Sequence, residues 1–186
     1  WFNGDAGNPD RVPYSRTLTN GTVGTQDHED AHTVNSALTG FFFEKTAANL
    51  TSGANPTATA APGDTLRYTL RFRTTDQSFS NFRIFDEPDA LNPQPVFVPG
   101  TLLLVSYPAG ADISGTSSTG GANGTGIVDI RNLDVPLDGE VVIEFDITLA
   151  APLPDGIVAT NQSTLLLDDG SPFALSDDPT VNGSAD

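Results

Sequence analysis

Between Thr65 and Thr74 the chain alternates strictly: Leu66, Tyr68, Leu70 and Phe72 are apolar, while Thr65, Arg67, Thr69, Arg71 and Arg73 are polar. A period of two places the apolar set on one face of an extended strand and the arginines on the other, the pattern of a half-buried antiparallel strand. Val141 to Leu149 repeats it, with Val141, Ile143, Phe145, Ile147 and Leu149 facing one way and Glu144, Asp146 and Thr148 the other. Each segment follows a turn, Pro62-Gly63-Asp64 and Leu137-Asp138-Gly139. Further strands are expected at Asn81 to Phe85, Thr101 to Tyr107, Gly126 to Asn132 and Ile157 to Leu167. Short strands at this spacing predict an all-β protein, an antiparallel sandwich of about seven to nine strands.

Around this middle the pattern fades. Ile113 to Gly126 has almost nothing to bury and reads as a mobile loop or tip. Residues 1–36 are polar and rich in Gly, Asn and Asp, and read as a junction to a neighbouring module. Residues 37–167 form the sandwich, and residues 168–186 a short acidic hairpin with an exit linker. The sequence opens at Trp1 with no basic and apolar leader and contains no run of 18 apolar residues. A mature product or a piece of a longer chain, without a membrane span, is expected.

Charge narrows the partners. With 24 acidic against 8 basic residues the net charge is −16, which repels phosphate backbones and argues against nucleic acid. Cysteine is absent, so no disulfide can staple a fold whose composition looks extracellular. Asn-X-Ser/Thr sequons at Asn20, Asn49, Asn123, Asn161 and Asn182 suit a secreted surface but carry little weight in a chain this rich in Ser and Thr.

One residue stands apart. Lys45 is the only lysine beside seven arginines, and it ends an apolar run, Phe41-Phe42-Phe43-Glu44-Lys45. A guanidinium stays protonated, whereas a desolvated amine becomes a nucleophile, so Lys45 is a candidate reactive group.

From Ala37 to Asp186 the chain resembles the Ig-like repeats of large prokaryotic surface proteins, of the collagen-adhesin type. The resemblance rests on the order and spacing of Phe43-Glu44-Lys45-Thr46, Pro62 to Leu70, Phe82 to Pro88, Leu137 to Glu140 and Val158 to Ser163. The stretch from Asp86 to Thr101 departs from the family, being longer and richer in proline. The resemblance implies an intramolecular isopeptide bond in which a first-strand lysine condenses with a last-strand asparagine beside an acidic residue; the matching positions are Lys45, Asn161 and Asp86.

Strand phase tests that assignment separately. Phe41, Phe43 and Lys45 share a face, as do Phe82, Ile84 and Asp86, and Ile157, Ala159, Asn161, Ser163 and Leu165, so all three residues can point into one core. Burial favours the neutral form of both amine and carboxyl, the state in which Lys45 attacks the Asn161 carbonyl and Asp86 moves protons until ammonia leaves. This is a single-turnover self-modification, not enzyme activity in the usual sense. The alternative is a buried Lys45–Asp86 ion pair with Asn161 as a neighbour.

Two metal readings remain. His28-Glu29-Asp30-Ala31-His32 matches H-E-x-x-H, which binds zinc only on a helix, and closely spaced glycines argue against one there. Asp168, Asp169, Asp177, Asp178 and Asp186 offer oxygen ligands that would let calcium stiffen a module junction. The expected function is a structural module of a secreted or cell-surface fibre, stalk or adhesin, packed against neighbouring repeats or identical subunits. The alternative is an adhesin domain that binds glycan or protein through its loops, residues 113–126 above all.

Overall fold

A computed structural model describes residues 16–19, 31–34 and 40–179 of the chain. The chain divides into two compact units, Trp1–Leu38 and Thr39–Asp186. In the first, β1 (Arg16–Thr19) and β2 (Ala31–Val34) pair antiparallel with Leu18 opposite His32. His32 therefore stands in a strand, where the helical spacing that zinc binding by H-E-x-x-H requires does not exist. His28 and Glu29 lie outside the described residues, as does Asp186.

The second unit is a β-sandwich. Its strands are β3 (Phe41–Asn49), β4 (Thr65–Thr74), β5 (Phe79–Asp86), β6 (Leu103–Ser106), β7 (Val128–Val135), β8 (Glu140–Thr148), β9 (Thr164–Leu166) and β10 (Pro172–Leu175). They form two antiparallel four-stranded sheets, β3-β4-β8-β6 and β10-β9-β5-β7. The core lies between them. Leu70 of β4 stands opposite Ile143 of β8, and both meet Phe82, Ile84, Ile130 and Leu165 of the second sheet in one apolar cluster. Burying each such side chain contributes about 1.5–3 kcal/mol. On the outer face the alternating polar positions pair across strands: Arg67 holds Asp146 with two hydrogen bonds, 2.8 and 3.0 Å, and Arg71 meets Glu140 at 2.7 Å. Among the described residues no helix is long and apolar enough to cross a membrane.

Three expectations need revision. The last long strand is short: only Thr164–Leu166 joins a ladder, although residues 157–163 keep the expected alternation of exposure. The cause is its partner. Thr164 to Leu166 pair with Phe85 to Arg83, and β5 stops at Asp86, followed two residues later by Pro88, which has no N–H to extend the ladder.

Residues 113–126 are also better anchored than their composition suggests. Asp112 bridges Arg131, Ser117 bridges Ile127, the Ala122 N–H donates to Glu87 at 2.7 Å, and Thr125 is buried. Hydroxyl and backbone hydrogen bonds do here what apolar burial does elsewhere, and the segment covers the free edge of β7. Gly126 closes it at φ +121°, where a Cβ would come 2.6 Å from the Leu102 side chain.

The hairpin at 168–175 belongs to the sandwich, since β10 pairs with β9. Beyond it the chain crosses to the other sheet. The Ser176 N–H donates to Ser163 O at 2.9 Å, the Asp177 N–H to Phe43 O at 2.8 Å, and the Lys45 N–H to Asp177 O at 2.7 Å. Residues 176–178 thus lie parallel to β3 and close one side of the sandwich over Lys45.

Candidate functional site

Lys45 lies mid-strand in β3, opposite Leu70, on a face that points inward, and is 4% exposed. Asp86 ends β5 in phase with Phe82 and Ile84 and is fully buried. Continuing the β5–β9 register by one residue sets Ser163 opposite Asp86. The three side chains meet: Lys45 Nζ and Ser163 Oγ both donate to Asp86 Oδ2, and Lys45 Nζ lies 3.2 Å from Ser163 Oγ. Asp86 Oδ1 is buried with no hydrogen-bond partner among the described residues.

Aromatic rings complete the surroundings of the amine, with the Tyr68 centroid 4.9 Å and the Phe145 centroid 5.6 Å from Nζ. Loss of hydration dominates there. It brings the Lys45 pKa down to about 8, against the attraction and hydrogen bond of Asp86, which hold the proton on. The same burial, aided by the Asp86 charge, pushes the Tyr68 hydroxyl above its ordinary value.

Asn161 lines the same groove as Lys45 and Tyr68. Its amide approaches the Tyr68 hydroxyl closely enough to offset part of that rise. Neither amide atom, however, meets hydrogen-bond geometry with a described group, and both are buried. A buried polar atom without a partner costs about 1–3 kcal/mol, so an amide with two of them marks a site that folding alone does not explain.

Sequence reasoning placed Ser163 on this face but missed its contact with Asp86, and it missed Tyr68 as a wall of the site. Strand alternation carried both signals; what it lacked was the register between strands far apart in the chain.

The four described members of the acidic set do not converge. Asp168 and Asp169 lie in the β9–β10 turn, where Asp168 accepts from Asn81 and Asp169 from the Ser171 N–H, whereas Asp177 and Asp178 lie beyond the other end of β10. Among the described residues no group of three or more metal-ligating side chains forms. Two of the sequons are turned inward: Asn49 is buried and caps the N–H groups of Thr51 and Ser52, and the Asn161 amide is buried. In the folded sandwich neither side chain is accessible to glycan transfer.

The chain matches no protein-family model and no curated protein sequence. Fold and site together define a class all the same: a two-sheet antiparallel sandwich with a buried amine, carboxyl and unpartnered amide beneath the segment that joins its sheets.

The buried amine predicts a pH dependence. In Asn161→Ala the Lys45–Asp86 contact remains. An unfolded lysine keeps its proton up to its ordinary pKa of 10.5, the native one only to about 8. Between these values unfolding takes up a proton, so stability rises with pH. Relative to a Lys45→Met, Asn161→Ala double variant, Asn161→Ala should gain about 2 kcal/mol between pH 8 and 10 in urea unfolding.

Proposed function

We propose that this chain is a structural module of a secreted or cell-surface fibre, stalk or adhesin, locked by an isopeptide bond that forms between Lys45 and Asn161 without an enzyme. One observation carries the reading: the only lysine is buried against a buried carboxyl and shares its groove with an amide whose two polar atoms have no hydrogen-bond partner.

The chemistry follows from the placement. A proton passes from Lys45 Nζ, whose hold on it burial weakens, to Asp86, giving the neutral amine that attacks and an acid able to donate. Because both hydrogen bonds to Asp86 fall on Oδ2, Oδ1 is the oxygen free to carry that proton and to donate it to the Asn161 carbonyl. Nζ adds to Cγ of Asn161, the Cγ–Nδ2 bond breaks, and Nδ2 leaves as ammonia with a proton relayed by Asp86. The product is an amide between the two side chains, and Asp86 ends in its starting state once the departing ammonia takes up the last proton. Tyr68 and Phe145 keep water from the amine and so favour its neutral form.

A chain without cysteine gains from this bond what secreted domains obtain from disulfides. The test is the intact mass of the denatured protein. The parent should be lighter than its sequence by one ammonia, and Lys45→Ala and Asp86→Asn should have their full masses. A parent at full mass would reduce the cluster to a buried ion pair.

A further inference from the structure

Asn161 lies on a stretch that no strand holds. Among the described residues, the backbone between Pro152 and Gln162 receives hydrogen bonds from one side chain only, Asn92. Its Oδ1 accepts from the Thr160 N–H at 2.8 Å and its Nδ2 donates to the Thr160 carbonyl at 3.0 Å, so one amide does for Thr160 what a neighbouring strand would do. The same Nδ2 also lies 3.1 Å from the Pro88 carbonyl, and the Asn92 N–H donates to Asp89 O at 3.2 Å, which fixes the clamp to the end of β5 two residues after Asp86. On the far side of Asn161, Ser176 takes over: its Oγ accepts from the Ser163 N–H at 2.9 Å.

We propose that Asn92 is a positioning residue for the cross-link, resting on the function proposed above. Neither polar atom of the Asn161 amide meets hydrogen-bond geometry with a described group, so its place in the groove it shares with Lys45 is set by its backbone, and the backbone on its N-terminal side is set by Asn92. The clamp measures from β5, the strand that carries Asp86, so it places the amide relative to the acid as well as the amine. This gives a purpose to the long proline-bearing segment after Asp86: Val96 and Phe97 anchor it in the core, the Asp89 carboxylate accepts from the Val96 N–H at 3.0 Å, and Asn92 is held out over Thr160.

The experiment starts from full-length chain isolated in denaturant before it has folded, refolds it, and follows loss of ammonia by mass. Asn92→Ala should form the bond at least about tenfold more slowly than the parent, since small misplacements of a reacting group cost on the order of ten- to a hundredfold, and should reach the same final mass. Gln94→Ala, an exposed change in the same segment, should match the parent. A second measurement removes the reaction: in a Lys45→Ala background, adding Asn92→Ala should leave hydrogen exchange in β3, β4 and β8 unchanged. Equal rates for Asn92→Ala and the parent would overturn the assignment. So would faster exchange throughout those strands in the double variant, which would make Asn92 a general structural residue. A parent that never loses ammonia would remove the cross-link itself, an outcome separate from either.

Discussion

Asn161→Ala should lower the stability of the sandwich by about 5 kcal/mol. The substitution leaves Lys45, Asp86 and Ser163 in contact and removes a side chain whose polar atoms have no partners, so the loss of native interactions is small and even offset by the vanished polar burial. What disappears, on the proposed function, is the closure of the chain from residue 45 to residue 161. Restricting an unfolded loop of about a hundred residues is worth about 4.7 kcal/mol in the chain-entropy account. Whole domains have net stabilities of about 5–15 kcal/mol, so the change is a large share of the total. Guanidinium unfolding near neutral pH provides the measurement. The parent should also unfold with a smaller m-value, because its unfolded state stays looped and exposes less surface. A difference below about 1 kcal/mol with unchanged m would show that no cross-link constrains the unfolded chain.

The second large effect is mechanical. Asn161 is not at the end of the sandwich: β9, β10 and the crossing segment that pairs Asp177 with β3 all follow it. Under tension applied at residues 39 and 179, the covalent path runs along β3 to Lys45, through the new amide to Asn161, and out along residues 162–179. Residues 46–160 are bypassed. The crossing segment resists first, since it runs parallel to β3 and its bonds from Lys45 N to Asp177 O and from Asp177 N to Phe43 O are loaded in shear. Once it yields, the β9–β10 hairpin follows and extension stops at the cross-link. About 24 residues are released, residues 39–44 and 162–179, for a contour gain of roughly 80 Å at about 3.4 Å per residue. Asn161→Ala should release the whole unit, about 140 residues and roughly 480 Å. Single-molecule pulling separates these steps. A parent that lengthens as far as Asn161→Ala has no bond, and one that does not lengthen at all carries its load by another route.

With the proposed cross-link in place, the C-terminal hairpin would be an extensible element in series with a rigid one. A fibre built of such modules would take up sudden load by peeling short hairpins, which refold when tension falls, while the sandwich cores stay intact.

Much of this architecture was legible from residue order, and the reason is periodicity. Strand alternation depends only on neighbours in the chain, so Leu66 to Phe72 and Val141 to Ile147 identified their own inward faces, and the same alternation assigned Lys45, Asp86 and Asn161 to inward positions. Composition had limits of its own. Ile113 to Gly126 looked empty because its polar and glycine residues bury little apolar surface, yet its hydrogen bonds tie it to β7 and Glu87. Hydrogen bonds between distant segments leave no periodic trace.

By itself the sequence determined the all-β class, the faces of the main strands, the exclusion of disulfides and the singular position of Lys45. Only the tertiary structure decided that Ser163 meets Lys45 on Asp86 Oδ2, that β9 begins as late as Thr164, that Asn92 holds Thr160, and that residues 176–178 cross between the sheets. The division has a physical cause. Facing is a local property, set by the two-residue repeat of an extended backbone, whereas register is set where strands end, here by Pro88 after β5 and by the loop lengths that bring remote segments side by side.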